Sequence, residues 1–106
     1  MSIATVELTH MQAAASNACQ LMKVLANPDR LMILCQLIEG EKRVGELEAL
    51  LGIVQPTLSQ QLTVLRDEAL VTTRREGKNI YYALASAPAL AVINVLYSQF
   101  CKPSKE

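Results

Sequence analysis

Between residues 55 and 63 the chain carries Gln55, Pro56, Thr57, Ser59, Gln60, Gln61 and Thr63, a run rich in short, uncharged donors and acceptors. Amides and hydroxyls of this kind can bond base edges or phosphate oxygens. At helical spacing, Leu58, Leu62 and Leu65 form one apolar stripe. Thr57, Ser59, Gln60 and Thr63 lie around the other side, with Gln55 and Gln61 nearer its edges. The ordinary alternative is a polar face turned to solvent. A second group is Arg74, Arg75 and Lys78, able to reach a phosphate backbone or simply to be solvated beside Glu76. A third is the set of thiols Cys19, Cys35 and Cys101. There is no Cys-x-x-Cys, and no histidine or lysine is evidently placed to activate a thiol. The single histidine, His10, reads as a surface residue. No catalytic site, metal or cofactor is expected.

The elements that would position these residues can be read in order. A helix from Val44 to Leu51, a turn at Gly52-Ile53-Val54 and a second helix from Gln55 to about Glu68 are expected. Two strand-like runs follow, Leu70 to Arg75 and Asn79 to Leu84, joined at Glu76-Gly77-Lys78. Helix, tight turn, helix and hairpin is the order of a winged helix-turn-helix, whose second helix enters the major groove. The fold expected is mainly α with a β-hairpin wing, the helix-turn-helix at 44–68 and the wing at 70–84. In that setting the polar face is better read as a DNA contact surface.

Upstream, residues 1 to 8 carry no strong signal. Thr9 and Gln12 have capping-box spacing for a helix starting near His10 and running to about Ala26, with Met11, Ala15, Ala18, Met22 and Leu25 as its stripe. Cys19, on the flank of that stripe, reads as a small core residue. Asn27-Pro28-Asp29 is a clear helix restart. The new helix should turn Leu31, Leu34, Cys35 and Ile38 inward and end at Gly40. Glu41-Lys42-Arg43 then reads as a polar crossing, and the next helix buries Val44, Leu47, Leu50 and Leu51. Ser86-Ala-Pro88 opens a last helix with Leu90, Ile93, Tyr97 and Phe100 as its stripe.

The 106 residues suit one domain spanning 1–106; 51% are apolar but only 4% aromatic, which favours packed aliphatic helices. No apolar run is long enough for a membrane span, and the N-terminus lacks a signal-peptide pattern, so a cytoplasmic protein without a membrane partner is expected. Ten basic and ten acidic residues leave no net charge. Bulk attraction therefore cannot supply DNA affinity, which must come from local placement and from doubling the site. The helices at 8–26 and 87–101 are left over once the winged core is built. A homodimer through both would set two recognition helices one turn apart on double-stranded operator DNA. The alternative is that they fold back on their own core. Zero net charge favours another reading, a dimerisation module with no DNA role.

Taken together, Leu25-Ala-Asn-Pro-Asp-Arg-Leu31, Val44-Gly-Glu-Leu47, Leu51-Gly-Ile-Val-Gln-Pro-Thr-Leu-Ser-Gln-Gln-Leu62, Leu65-Arg-Asp-Glu-Ala-Leu-Val71 and Gly77-Lys-Asn-Ile-Tyr-Tyr-Ala-Leu84 resemble the ArsR/SmtB family of small dimeric winged-helix repressors. The resemblance runs from about Gln12 to Cys101. It implies operator contacts from Gln55, Thr57, Ser59, Gln60 and Gln61, and release when a metal or oxidant acts. Arg43 and Val54 stand where the family often has a serine cap. The Cys pairs and Asp/His ligands of its metal-binding branches are missing. Cys35 and Cys101 are instead placed as in the sulfide- and redox-responsive, BigR-like branch. That likeness implies a cysteine pair sensing reactive sulfur or oxidant as inducer, although Cys35 alone would pass for packing. The alternatives are a metal-responsive repressor of this family and a thiol-redox protein that binds no DNA.

Overall fold

The computed structural model describes residues 2–101, with side chains from residue 7 onward. The elements are α1 (Ser2–Leu25), α2 (Pro28–Ile38), β1 (Lys42–Arg43), α3 (Val44–Leu51), α4 (Thr57–Asp67), β2 (Val71–Glu76), β3 (Asn79–Leu84) and α5 (Ala87–Leu96). One π-helical turn, Tyr97–Cys101, continues α5.

Local chemistry sets several of these boundaries. The Asn27 side-chain oxygen accepts the Arg30 backbone N–H at 3.0 Å, and Pro28 occupies the first turn of α2. Ser86 starts α5 in the same way, its hydroxyl oxygen accepting from Ala89 N–H at 3.1 Å. Gly52 ends α3 at φ 70°, a conformation that a side chain disfavours. Ala69 takes φ 63° after α4, and the Leu70 N–H turns back to the Leu65 carbonyl at 2.9 Å. In the wing, pairing runs from Val71↔Leu84 to Glu76↔Asn79, leaving only Gly77 and Lys78 in the turn. Gly77, at φ 63°, supplies the positive φ that a two-residue hairpin turn needs first.

Several expectations are corrected. α1 begins at Ser2, not near His10, because nothing before Asn27 breaks an alanine-rich helical run and the Thr9–Gln12 pattern lies inside it. α4 begins at Thr57, not Gln55; the residue before a proline is disfavoured in helical geometry, so the turn extends through Pro56, and the Gln55–Pro56 peptide is cis. Glu41-Lys42-Arg43 is more than a crossing. Lys42 and Arg43 pair with Tyr82 and Tyr81, which makes a three-stranded sheet in the order β1-β3-β2. Two residues are too few for a periodic signal.

The core is aliphatic: Ile33, Leu34, Leu47, Leu58, Leu62, Leu65 and Ile93 are fully buried. On α2 the buried stripe is Ile33, Leu34 and Leu37, while Cys35 is half-buried and Ile38 exposed. This helix is apolar on most sides, so α3, α4 and β3 cover one face and α5 approaches the neighbouring one. On α3 Leu47 is buried but Leu50 is 55% exposed. Ile93 of α5 points into the chain's own core, whereas Val95, Tyr97 and Phe100 are left uncovered.

Residues 7–20 of α1 are exposed throughout. The radius of gyration, 16.6 Å, exceeds the roughly 13 Å expected of a compact chain this long, as a projecting helix requires. Cys19 is therefore exposed and not a core residue, because the described residues leave its position on α1 uncovered.

Leu47→Ala should lower stability by about 2–5 kcal/mol through the cavity it leaves, and Leu50→Ala by less than about 1 kcal/mol. Urea unfolding at one fixed protein concentration reads both; equal losses would contradict this packing.

Candidate functional site

The candidate recognition surface is built outward from the Leu58, Leu62 and Leu65 stripe, which fixes the rotation of α4. Ser59, Gln60 and Thr63 consequently face solvent, with Thr57 and Gln61 half-buried at one edge. Gln55 is exposed in the preceding turn, and its side-chain oxygen accepts from the Ser59 hydroxyl at 2.6 Å. The Thr63 hydroxyl donates to the Ser59 carbonyl at 2.9 Å. Both hydroxyl protons are thus engaged, and each oxygen presents lone pairs outward. The Gln60 amide, exposed beside them, has no hydrogen-bond partner among the described residues. Pro56, the N-cap of α4, makes no side-chain cap bond. Val54 does not occupy a cap position; it is 70% exposed in the turn. At α3 the start is partly capped, since the Glu46 carboxylate accepts from the Arg43 N–H at 2.9 Å.

Gln61 differs from the rest of this face. Its side-chain oxygen accepts from Arg30 Nη1 at 2.9 Å, and the same guanidinium donates from Nε to the Val24 carbonyl at 2.7 Å and from Nη2 to the Lys23 carbonyl at 3.4 Å. One side chain of α2 thus ties the last turn of α1 to α4. Sequence periodicity gave no sign of this, because Arg30 follows a helix start whose other residues already had local roles.

In the wing the three basic residues do not share one environment. Arg74 is ion-paired with Glu41 and with Glu76, the latter at 2.7 Å, and its guanidinium lies 4.6 Å from the Tyr81 ring centroid. The Arg74 hydrogen bond holds the Glu41 carboxyl below its ordinary range. Arg74, expected at the DNA, therefore fastens the hairpin to the segment before β1, and its charge is already met. Arg75 and Lys78 are exposed and make no ion pair among the described residues. Glu41, the residue that separates Arg74 from its neighbours, lies 33 positions away and carried no sequence signal.

Two thiols of the third group, Cys35 and Cys101, come together where the end of α5 approaches α2. Cys35 and Cys101 line one cavity of about 240 Å³ with Leu31, Ile93, Leu96, Tyr97 and Phe100. Burial pushes the Cys35 thiol above its ordinary pKa, and the neighbouring Cys101 adds to the rise. Cys101 itself is exposed on the terminal π turn, and Cys19 is on α1, outside this cavity. His10 is exposed, and no three His, Cys, Asp or Glu side chains converge as a metal site among the described residues. No helix among them is long and apolar enough to cross a membrane.

Residues 27–73 match the family model described as bacterial regulatory protein, arsR family. The chain is 50% identical over 105 residues to the biofilm growth-associated repressor of Agrobacterium fabrum, spanning 99% of this chain and 90% of that protein. It is 38% identical to the transcriptional activator HlyU of Vibrio cholerae, over 96% of this chain and 94% of that one. Among solved structures, the repressor BigR from Xylella fastidiosa superposes with a TM-score of 0.83 at 50% identity, covering 88% of this chain and 95% of that one. Reduced HlyU from Vibrio cholerae superposes with a TM-score of 0.82 at 40% identity, covering 87% and 97%. With a winged helix-turn-helix fold and relatives this similar along nearly their whole length, the chain belongs to the arsR family of bacterial transcription regulators.

Proposed function

We propose that this DNA-binding regulator is a dimeric repressor that leaves its operator when Cys35 and Cys101 become joined by a disulfide or by a bridge with additional sulfur atoms. The observation that carries the reading is the shared apolar cavity: two thiols from distant parts of the chain line it, and the charge of one raises the pKa of the other. The neighbours include a BigR repressor and a HlyU described as reduced, which agrees with thiol chemistry in this branch.

The chemistry follows from exposure. Cys101 meets solvent first, so its thiolate attacks the oxidant. With peroxide it becomes a sulfenic acid; the Cys35 thiol then gives up its proton and displaces water, closing a disulfide. With polysulfide, the Cys101 thiolate attacks a sulfane sulfur, breaking an S–S bond and expelling the shorter polysulfide; the Cys35 thiolate then attacks the sulfur chain left on Cys101 and expels hydrosulfide. In either case the bridge ties the end of α5 to α2. In a reducing cytoplasm such a bridge would be a transient signal.

Dimerisation is proposed through α1 and α5. The α1 face is uncovered, Met11 and Met22 are more than half exposed, and Phe100 is 82% exposed. A second copy would cover this surface and space the two α4 helices for one operator. The thiol cavity adjoins the same helix, so a bridge there can change that spacing. DNA contacts are assigned to Gln55, Thr57, Ser59, Gln60, Gln61 and Thr63, with Arg75 and Lys78 on the backbone.

Three outcomes test this reading. Parent protein that is reduced should retain a promoter duplex in gel shift, and peroxide or polysulfide should release it. Cys35→Ser and Cys101→Ser should hold on under both treatments, while Cys19→Ser behaves as the parent does. Mass spectrometry of each form must show the bridge, and release by either of the first two variants would sink the pairing.

Arg75→Ala or Lys78→Ala should weaken binding to all duplexes and flatten the salt slope by about one unit. Arg74→Ala should change that slope less, because two carboxylates already meet its charge. Salt titrations by fluorescence anisotropy decide this.

The third outcome concerns pH. Since burial raises the Cys35 pKa, its thiolate fraction at any given pH is smaller than that of an ordinary thiol. Alkylation of Cys35 should therefore rise only at more alkaline pH, and Cys101→Ser should move that rise downward by removing the neighbouring charge. Peptide-resolved alkylation against pH gives the answer.

A further inference from the structure

The Arg30–Gln61 contact fixes more than packing. Arginine carries donors only, so a guanidinium N–H facing Gln61 forces the amide oxygen toward α2 and leaves the amide nitrogen outermost. A glutamine free to turn can read adenine with both ends, donating to N7 while accepting from the N6 amino group. Gln61 in this arrangement cannot offer that pair. Two more donors of the same guanidinium hold the Val24 and Lys23 carbonyls, so turning Arg30 away would also uncap the end of α1.

We propose that Arg30 is a positioning residue for base reading, which presents Gln61 to the major groove as a hydrogen-bond donor alone. The base facing Gln61 must then offer acceptors. Guanine, with O6 and N7, fits best; thymine O4 and adenine N7 each take one bond, and cytosine shows only a donor. The inference rests on α4 being the groove-reading helix and assigns a base class to one position of the operator. Gln61 lies closer to the core than Gln60, so its amide is set by the α2 contact before DNA arrives. Arg30 does not itself touch the base.

The test uses the full-length reduced protein and a duplex selected by it from a random-sequence pool. Each operator position is then changed to all four bases, and affinities are measured for the parent, Arg30→Ala, Gln61→Ala and Gln61→Glu. One position should lose its discrimination in Gln61→Ala, and there the parent should favour guanine over cytosine by about tenfold. In Arg30→Ala adenine should gain on guanine at that position alone, by several fold, with the other positions unchanged. A purely structural role would lower all affinities together and leave the order of bases intact. Gln61→Glu keeps an acceptor for Arg30 but has no N–H, so it should lose the guanine preference while folding normally. That arm decides the matter if Arg30→Ala does not fold. Unchanged base order in Arg30→Ala, or an intact guanine preference in Gln61→Glu, would overturn the inference. So would a Gln61→Ala variant that weakens every duplex equally, since that marks a phosphate contact. A pool with no enriched sequence would sink both the operator reading and this inference; an enriched sequence with any of the other results removes only the latter.

Discussion

One-sided burial of α4 is the constraint on which the rest of the molecule depends. Leu58, Leu62 and Leu65 are fully buried against Ile33, Leu34 and Leu47. Each such side chain contributes about 1.5–3 kcal/mol. An outward hydroxyl or amide that meets only water contributes almost nothing to folding. The leucines therefore fix both the position and the rotation of the helix, leaving Ser59, Gln60 and Thr63 exposed for the proposed recognition. Under the proposed role, substitutions on the outer face would change what is read without changing where it is presented. The same stripe places Gln61 at the border of the two regimes, where a side chain can be held by a neighbour and still reach outward.

Charge is managed locally, as a neutral chain must manage it. Glu41 and Glu76 meet Arg74, which leaves Arg75 and Lys78 at the wing tip without an ion pair among the described residues. The ion pairs are exposed, so each adds little to stability. What they do is orient: the pairing across 33 residues holds a two-stranded hairpin to the segment that leads into β1. A hairpin whose tip wandered would spread its two free cations over many positions. Affinity from so few charges requires that they arrive at fixed distances from α4, and the proposed dimer would repeat the whole arrangement.

Much of this was legible in the sequence. The leucine periodicity of α4, the Asn27-Pro28 and Ser86 starts, the Gly52 stop and the hairpin at Gly77 are all produced by nearby residues, and the structure follows them closely. What could not be read depends on partners distant in the chain. The strand at Lys42 and Arg43 exists because Tyr81 and Tyr82 are there to pair with it. The distinction between Arg74 and Arg75 comes from Glu41, and the role of Arg30 comes from carbonyls of α1 together with a side chain of α4. The core face of α2 was misjudged by a residue because an apolar helix covered on two sides has no single stripe. The placement of Cys35 and Cys101 came through likeness to a family, since neither thiol's own surroundings in the sequence marked a pair.

The proposed switch also has to be large enough. A hundredfold loss of operator affinity requires about 2.7 kcal/mol of difference between the bridged and reduced forms. A bridge at Cys101 need not supply this through the sulfur bond itself, because that bond matters only as far as it strains the DNA-bound arrangement more than the free one. The neighbouring side chain offers the right scale. Phe100 is almost fully exposed in the single chain and sits beside Cys101 on the rim of the same cavity. Moving a phenylalanine between a covered and an uncovered position is worth about 1.5–3 kcal/mol. In a symmetric dimer the change would occur twice. In the proposed switch, drawing the π turn toward α2 would relocate Phe100 along with Cys101, so the cysteine pair would set the position of a residue whose burial energy is comparable to the affinity to be lost.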